Sequence, residues 1–201
     1  MLVIETAISG VWIVETEMKS DHRGEFGRFF CARDLGGILC GRTIVQVNFS
    51  RTSAAGAVRG MHYQRSPHAE MKLVRCIRGR VLDVAVDLRR GSPTFLKHHK
   101  VELSSSSALM VVIPEGCAHG FQAQEPDSEL LYLHTAFYEK GSEGGVRHDD
   151  PVLHIEWPLP ITEISPRDLG FPLLSKAFEG IQEFDSNQRN ASLESVGGKK
   201  V

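Results

Sequence analysis

Side chains that can transfer protons are concentrated on two strand-like stretches of this 201-residue chain. Residues 58–88 and 129–137 carry the candidates, namely His62, Lys72, Asp83, Tyr132 and His134. A histidine and a tyrosine that face each other across a pocket form a base and an acid of different strength, acting from opposite directions. A lysine between them could stabilise an oxyanion on the substrate. These groups suit removal of a proton next to a carbonyl, and therefore epimerisation or isomerisation.

Other kinds of site have weaker support in the sequence. There is no Gly-x-Ser-x-Gly motif, no cysteine in a recognisable catalytic setting and no phosphate-binding glycine loop. Pro114-x-Gly116-x-x-His119 has the form of the second cupin metal motif, and His119 is expected to enter the pocket from a loop. The first motif needs His-x-His, but Gln64 stands two residues after His62. Because a metal site normally needs three or four converging ligands, metal chemistry through His119 and His62 is the second hypothesis.

The composition is that of an ordinary globular protein, with 41% hydrophobic and 24% charged residues. A net charge of −2 gives no reason to expect nucleic-acid or acidic-membrane partners. No apolar run reaches the length of a membrane span, and residues 1–10 lack the basic start and apolar core of a secretory signal. The four cysteines (Cys31, Cys40, Cys76 and Cys117) show no disulfide-framework spacing. These features predict a cytoplasmic protein with reduced thiols.

Short strands separated by turn signals fill most of the chain. Period-two alternation, aromatic and β-branched residues and flanking turn signals predict strands over residues 11–15, 26–30, 43–50, 71–77, 81–88, 97–103, 109–113, 129–137 and 153–157. The turn Arg78-Gly79-Arg80 suggests that two of these strands form a hairpin. Short helices are expected only at residues 32–41 and 175–183. This pattern predicts one all-β domain over residues 1–184, a jelly-roll sandwich or barrel, followed by a polar, disordered tail over 185–201.

Nine sequence strings, in order and at the right spacing, resemble the dTDP-4-dehydrorhamnose 3,5-epimerase family of nucleotide-sugar epimerases. They are DHRGEF (21–26), QVNFS (46–50), VRGMHYQ (58–64), MKLVRCIRGRVLDVAVDLRRGSPTF (71–95), IPEGCAHGF (113–121), LLYLHTAFY (130–138), DDP (149–151), EWPL (156–159) and ISPRD (164–168). The resemblance covers roughly residues 11–174. It implies a jelly-roll β-sandwich of cupin type with a few short helices, no metal, no other cofactor, and a homodimer whose first strands reach into the partner's site.

The resemblance also implies roles for the proton-transfer residues. His62 would be the catalytic base, oriented by Asp168. Tyr132 would be the acid that delivers a proton to the opposite face of the sugar. Lys72 would lie near the C4 keto oxygen and stabilise the enolate, held in place by Asp83.

The remaining implied positions bind the substrate. Arg23, contributed by the neighbouring subunit, and Arg59 would hold the diphosphate, because a guanidinium fork matches its geometry. The other implied binding residues are His119 beside the phosphates or sugar, Gln46, Asn48, Glu143 and Arg167 at the nucleotide, and Tyr138 and Phe26 against the base or sugar. Arg28 departs from the family, which usually has an acidic residue there. That reversed charge at the edge of the nucleotide site leaves the identity of the nucleotide or sugar open.

The expected activity is epimerisation at C3, C5 or both of a dTDP-4-keto-6-deoxyhexose, which converts dTDP-4-dehydro-6-deoxyglucose into dTDP-4-dehydrorhamnose. The alternatives are a single-position epimerase acting on a related nucleotide sugar, a 3,4-ketoisomerase, a metal-dependent cupin oxygenase or isomerase, and a non-catalytic sugar-nucleotide-binding protein. A protein that only binds has no need of an acid–base pair, which favours the enzyme.

Overall fold

Two antiparallel sheets pack face to face in the computed structural model, which describes residues 1–182. The six-stranded sheet has the order β1 (Leu2–Glu5), β2 (Trp12–Glu15), β10 (Leu109–Ile113), β7 (Lys72–Arg78), β12 (Ser128–His134) and β5 (Gln46–Thr52). The five-stranded sheet has the order β13 (Glu143–Gly145), β6 (Val58–Gln64), β11 (Cys117–Ala123), β8 (Arg80–Asp87) and β9 (His98–Ser104). The predicted all-β jelly roll of cupin type is confirmed.

Few elements lie outside the sandwich. An exposed hairpin joins β3 (Met18–Asp21) to β4 (Gly24–Gly27), and the helices are α1 (Gly36–Leu39), α2 (Pro166–Leu169) and a 3₁₀ turn (Lys140–Ser142). None of the helices in residues 1–182 has the length and apolar character needed to cross a membrane.

Apolar side chains form three layers, because both faces of each sheet are covered. The interior cluster lies between the sheets and includes Val74, Ala85, Phe121 and Leu130. A second cluster packs the outer face of the six-stranded sheet against α1, and a third packs the five-stranded sheet against the segment 146–181. The alternation in β12 explains this layering. Leu130 and Tyr132 point into the sandwich, whereas the alternate residues Leu131 and Leu133 point to the α1 side.

The prediction that β7 and β8 form a hairpin is wrong. They belong to different sheets, and each pairs on both sides with other strands. Gly79, with φ of +72°, is the only residue between them, and a Cβ there would lie 2.6 Å from the Ser128 hydroxyl. The glycine therefore allows the chain to cross from one sheet to the other within a single residue.

The strand predicted over 26–30 is displaced, because β4 ends at Gly27 and residues 28–30 have no regular structure. Three other expectations are wrong. His119 lies within the buried strand β11 rather than in a loop; since both faces of β11 are covered, its sequence shows no alternation. Residues 153–157 form no strand, although their alternate side chains all pack on the outer face of the five-stranded sheet. Residues 175–182 form no helix, because Phe178 and Ile181 are used to cover that same face. The predicted tail, 185–201, and the end of the predicted domain lie outside the described residues.

Candidate active site

A cavity of about 660 Å³ is lined by both sheets and by residues 163–168. This volume is in the range of small-molecule sites. Ten of the sequence-predicted site residues line it: Asn48, Arg59, His62, Lys72, His119, Tyr132, Tyr138, Glu143, Arg167 and Asp168. The histidines come from β6 and β11 of the five-stranded sheet, whereas Tyr132 and Lys72 come from the six-stranded sheet. The candidate base and acid therefore stand on opposite walls.

His62 and Asp168 form a close pair, with 2.7 Å between Nε2 and Oδ1. Burial alone would raise the pKa of Asp168, but the hydrogen bond and charge of His62, together with the Gly60 and Ser165 hydrogen bonds, lower it to about 2. Asp168 is therefore a carboxylate at neutral pH, and Nε2 of His62 must carry the proton between them. Within residues 1–182 the other ring nitrogen, Nδ1, has no hydrogen-bond partner. It is the nitrogen left to accept a proton.

Local sequence explains how Asp168 reaches the base. Ser165 caps the short helix α2, and its side chain accepts a hydrogen bond from the Asp168 backbone N–H at 3.1 Å. Pro166 occupies the first turn, where no backbone donor is needed. The second carboxylate oxygen accepts the backbone N–H of Gly60 at 3.2 Å. Both ends of the carboxyl group are therefore fixed, one by the base and one by the strand that carries the base.

Charged side chains at the entrance form a ring beside His62. Arg167 contacts both carboxylate oxygens of Glu143 at 3.0 Å, and its Nε donates to Asp168 at 3.2 Å. Glu143 also accepts the Tyr138 hydroxyl at 3.1 Å. The Arg167 guanidinium lies 2.9 Å from Nε2 of His62, and because both nitrogens carry protons this is a contact and not a hydrogen bond. These groups present polar atoms and an aromatic ring to a ligand that enters the cavity.

Tyr132 lies on β12, and its hydroxyl is 3.0 Å from the hydroxyl of Ser50 on the neighbouring strand β5. The ring centres of Tyr132 and His119 lie 6.2 Å apart, and the two rings are inclined at 71° in an edge-to-face arrangement. Burial raises the pKa of the Tyr132 phenol, and the Ser50 hydrogen bond offsets this only in part. The phenol therefore remains protonated at neutral pH and can donate a proton.

Lys72 is held differently from the prediction, because Asp83 does not bind it. The Lys72 ammonium lies 3.2 Å from Glu70 and donates to the backbone carbonyl of His62 at 3.3 Å. Asp83 instead pairs with Nε2 of His119 at 2.7 Å, and its other oxygen has no partner in residues 1–182. Since Asp83 lies on β8, the sheet crossing at Gly79 carries it away from the lysine's sheet.

Four predicted binding residues do not line the cavity. Arg23 is bound to Asp21 on the exposed β3–β4 hairpin, and Phe26 on the same hairpin is 75% exposed. Arg28 is exposed and lies 3.6 Å from Asp34. Gln46 lies just outside, where it contacts Asn48 and the backbone N–H of Tyr138. Nothing within residues 1–182 brings the hairpin residues to their own chain's cavity.

Sequence reasoning missed two residues that line the cavity, Glu70 and Ser50, and a buried one outside its lining, Gln122. Glu70 binds both Lys72 and His134, and Ser50 binds the candidate acid. Gln122 is fully buried and forms three hydrogen bonds, to Gly56 and to both backbone groups of Leu159. The sequence did contain a signal for Glu70: it stands two residues before Lys72, and residues two apart on an extended segment share a face. Gln122 had none, since its partner segment has no regular secondary structure.

The two histidines of the metal hypothesis are both engaged by carboxylates at Nε2, His62 by Asp168 and His119 by Asp83. In the described part of the chain, no three His, Cys, Asp or Glu side chains converge in the way metal ligands do.

Comparison with known proteins identifies the family. A family model described as dTDP-4-dehydrorhamnose 3,5-epimerase matches residues 5–176. The chain belongs to this epimerase family. The dTDP-4-dehydrorhamnose 3,5-epimerase of Salmonella typhimurium is 42% identical over 180 residues, which are 88% of this chain and 97% of that enzyme. The resemblance inferred from the nine sequence strings is thus confirmed over nearly the whole described region.

Two further similar proteins are a 3-epimerase and a 3,5-epimerase of known structure. The dTDP-4-dehydrorhamnose 3-epimerase of Streptomyces niveus is 39% identical over 172 residues, covering 85% of this chain and 82% of that protein. The dTDP-6-deoxy-D-glucose-3,5-epimerase of Legionella pneumophila was solved in complex with dTDP-4-keto-L-rhamnose. It is 37% identical, with a TM-score of 0.84, and the match covers 92% of this chain and 99% of that one.

Proposed function

We propose that this protein epimerises C5 and C3 of a dTDP-4-keto-6-deoxyhexose, converting dTDP-4-dehydro-6-deoxyglucose into dTDP-4-dehydrorhamnose. One observation carries the proposal: the His62–Asp168 pair and the Tyr132 phenol stand on opposite sheets around a single cavity. Inversion of a carbon centre requires a proton to leave one face and another to arrive on the opposite face. A base and an acid on opposite walls meet this requirement without any movement of the enzyme.

In the first step, His62 removes the proton. Nδ1 takes the proton from the carbon next to the C4 keto group, and the C–H electron pair becomes the carbon–carbon double bond of an enolate. The negative charge moves to the C4 oxygen. Asp168 then faces an imidazolium and stabilises it through the existing 2.7 Å hydrogen bond. The Lys72 ammonium stabilises the enolate oxygen, where charge develops as the transition state forms.

In the second step, Tyr132 returns a proton to the same carbon from the other face. The enolate electron pair reforms the C4 carbonyl, and the phenol becomes a phenolate that Ser50 can stabilise with its hydroxyl 3.0 Å away. The His62 imidazolium then loses its extra proton to solvent, and the Tyr132 phenolate takes up a proton from solvent. Because each proton on the product carbon comes from the enzyme and ultimately from water, turnover in D2O must label the sugar.

We also propose that the active protein is a homodimer in which each subunit's β3–β4 hairpin completes the partner's site. Arg23 and Phe26 are implied binding residues, yet they lie on an exposed hairpin away from their own cavity. Exposed apolar side chains on β5, including Val47 (58%) and Phe49 (57%), give such a partner a surface to cover. With Arg23 in place, Arg59 and Arg167 would share the charge of the diphosphate.

We propose a cytoplasmic location as well. It is supported by the free thiols of Cys31, Cys40 and Cys76, since oxidising compartments favour disulfides.

The experiment is proton NMR of dTDP-4-keto-6-deoxyglucose with the enzyme in D2O, without nicotinamide and after chelator treatment. Deuterium entering at C5 and C3, with formation of dTDP-4-dehydrorhamnose, is the expected result. Deuterium at one centre only would make the protein a single-position epimerase. Exchange that requires added divalent iron or manganese would favour the metal-dependent alternative. No exchange under either condition would contradict the proposed substrate and direct attention to Arg28 and a different nucleotide sugar.

A further inference from the structure

The Lys72 ammonium has one N–H that is not used by the protein. A lysine ammonium has three donors. Two are accounted for, by Glu70 at 3.2 Å and by the His62 backbone carbonyl at 3.3 Å. Within residues 1–182, no other group accepts from Lys72, and the side chain lines the cavity. The direction of the third N–H therefore depends on where Glu70 and the β6 backbone hold the other two.

Glu70 is nine-tenths buried and uses both of its carboxylate oxygens. Oε1 faces Lys72, and Oε2 lies 2.7 Å from Nδ1 of His134, which is itself only 7% exposed. Burial would raise the pKa of Glu70, but the His134 hydrogen bond and the Lys72 charge outweigh it, so this pKa lies below its ordinary value. Glu70 is thus a carboxylate, and its orientation is fixed by His134 at one oxygen and by Lys72 at the other.

A chain of donors and acceptors determines the state of His134. The backbone N–H of Tyr138 can only donate, so the Gln46 atom that it contacts at 3.0 Å is the side-chain oxygen. The Gln46 amide nitrogen then donates to the Asn48 oxygen at 3.1 Å. This leaves the Asn48 nitrogen facing Nε2 of His134 at 3.3 Å, and Nε2 must accept. His134 is therefore the neutral tautomer with its proton on Nδ1, which donates to Glu70.

We propose that Glu70 is the positioning residue of Lys72, and that His134, held as the neutral Nδ1–H tautomer, orients Glu70. Glu70 contributes no atom to the reacting centre; it aims the free Lys72 N–H at the oxygen that becomes the enolate. This inference rests on the proposed epimerase function. It predicts that loss of the Glu70 charge slows proton abstraction far more than it weakens nucleotide binding.

Glu70→Gln tests the positioning role. Glutamine has one acceptor oxygen and one NH2 donor, so in either amide orientation the NH2 group faces a donor, which is the Lys72 ammonium or the Nδ1–H of His134. One of the two contacts of Glu70 is therefore lost. The C5 exchange rate in D2O should fall on the order of 10- to 100-fold, as expected for misplacement of a catalytic group. The Kd for dTDP should change by less than about threefold, because the nucleotide contacts are retained. An unchanged exchange rate, or an equal loss of dTDP binding, would overturn the proposal.

The double variant separates positioning from independent action. If Glu70 acts through Lys72, the exchange rate of Lys72→Met/Glu70→Gln should lie within about twofold of that of Lys72→Met alone. The double variant should also unfold at higher urea than Lys72→Met, which leaves a buried carboxylate without its cation. If the rate of the double variant fell by the product of the losses in the two single variants, Glu70 would act independently of Lys72 and the proposal would fail. Wild-type enzyme with no exchange would instead contradict the proposed function itself.

Glu115→Gln is the matched control. Glu115 accepts two hydrogen bonds from Arg42, at 2.7 and 3.1 Å, in a largely buried pair outside the cavity lining. Its loss should reduce stability and leave the exchange rate unchanged. If Glu115→Gln slowed exchange as much as Glu70→Gln, the effect at position 70 would be general destabilisation and the proposal would fail.

His134 has two tests that do not require the Glu70 variant to fold. His134→Gln keeps an N–H donor for Glu70 and should exchange within about threefold of wild type, whereas His134→Phe keeps only the ring and should lose about tenfold. Equal rates for the two variants would contradict the orienting role.

Nitrogen-15 NMR of the free enzyme should show Nδ1 of His134 protonated and Nε2 unprotonated at neutral pH. The opposite tautomer would overturn this part of the proposal.

Discussion

At the reacting centre, the environments of His62 and Tyr132 give them opposite tasks. His62 is beside the carboxylate of Asp168, whose pKa is lowered to about 2, so a positive charge on the imidazole is stabilised by a negative neighbour. Tyr132 is buried, and burial raises the pKa of its phenol. The phenol therefore keeps its proton until it transfers it to the enolate carbon. The two residues differ in what surrounds them as much as in their own chemistry.

Variants of these two residues should separate abstraction from delivery. His62→Ala should slow deuterium exchange at both C3 and C5 on the order of 10²- to 10⁴-fold, the usual share of a general base. Tyr132→Phe should retain exchange but lose inversion at C5, because the proton returns only to the face it left. Proton NMR in D2O with product analysis measures both. Normal turnover by Tyr132→Phe would contradict the assignment of Tyr132 as the acid. Rapid exchange by a folded His62→Ala would contradict the assignment of His62 as the base.

The lowered pKa of Asp168 also makes stability depend on pH. A carboxyl group whose pKa is depressed on folding stabilises the protein above its unfolded pKa, and this stabilisation is lost as the pH falls through the folded pKa. With a folded pKa of about 2, this stabilisation amounts to roughly 2.5 kcal/mol at neutral pH. The stability difference between wild type and Asp168→Asn should therefore narrow by about 1 kcal/mol between about pH 6 and pH 3. Urea titrations at each pH measure it; a constant difference would contradict the assignment.

Residue types were easier to predict than residue partners. The nine strings pointed to His62, Lys72, Tyr132 and Asp168, and the structure places all four around one cavity. Their catalytic roles remain predictions. The prediction that Asp83 holds Lys72 was wrong. Glu70 and Asp83 are both acidic and near Lys72 in sequence, and only the sheet in which each residue lies distinguishes them. That assignment depends on packing across the whole sandwich, which a local pattern does not contain.

At the scale of elements, most of the long strands were predicted, the short strands β1, β3 and β13 were not, and the strand pairing was not. Alternation identified β7, β8, β10 and β12 with boundaries close to the observed ones. It could not identify the sheet to which each strand belongs, because β7 and β8 are covered on both faces and have two neighbours each. The strand β11 was missed for a related reason: buried on both faces, its sequence CAHGFQA has neither alternation nor many β-branched residues.

Gly60 is the position where two elements of the site depend on the absence of a side chain. Its φ is +124°, and a Cβ would lie 2.5 Å from the Cα of Gly120 and 2.7 Å from the His119 carbonyl oxygen. Gly60→Ala should therefore destabilise the protein by about 3 kcal/mol or more, from backbone strain and overpacking together. Gly36→Ala is the control, since nothing lies within 4 Å of its added Cβ, and it should change stability by about 1 kcal/mol or less. Urea unfolding of the two variants provides the comparison, and equal effects would contradict the packing argument.

At the scale of the whole molecule, the proposed dimer divides each site between two chains. Arg23 and His62 would then act together only when they come from different subunits. Mixing Arg23→Ala with His62→Ala should restore activity, because half of the randomly exchanged dimers contain one intact site. The expected recovery is about a quarter of the wild-type rate. Activity is measured before and after subunit exchange, with light scattering to confirm the dimer. No recovery in mixed dimers would mean that Arg23 serves its own chain.

The placement of base and acid on separate sheets has a mechanical consequence. Packed sheets stand about 10 Å apart, and side chains from both fill that space. In this protein the filling is the interior cluster around Val74, Ala85 and Phe121, which continues directly into the cavity wall at Tyr132. The apolar core is therefore a spacer that sets the gap into which a sugar ring must fit. The size of core residues such as Val74 and Ala85, which do not line the cavity, therefore helps to set the distance over which protons are transferred.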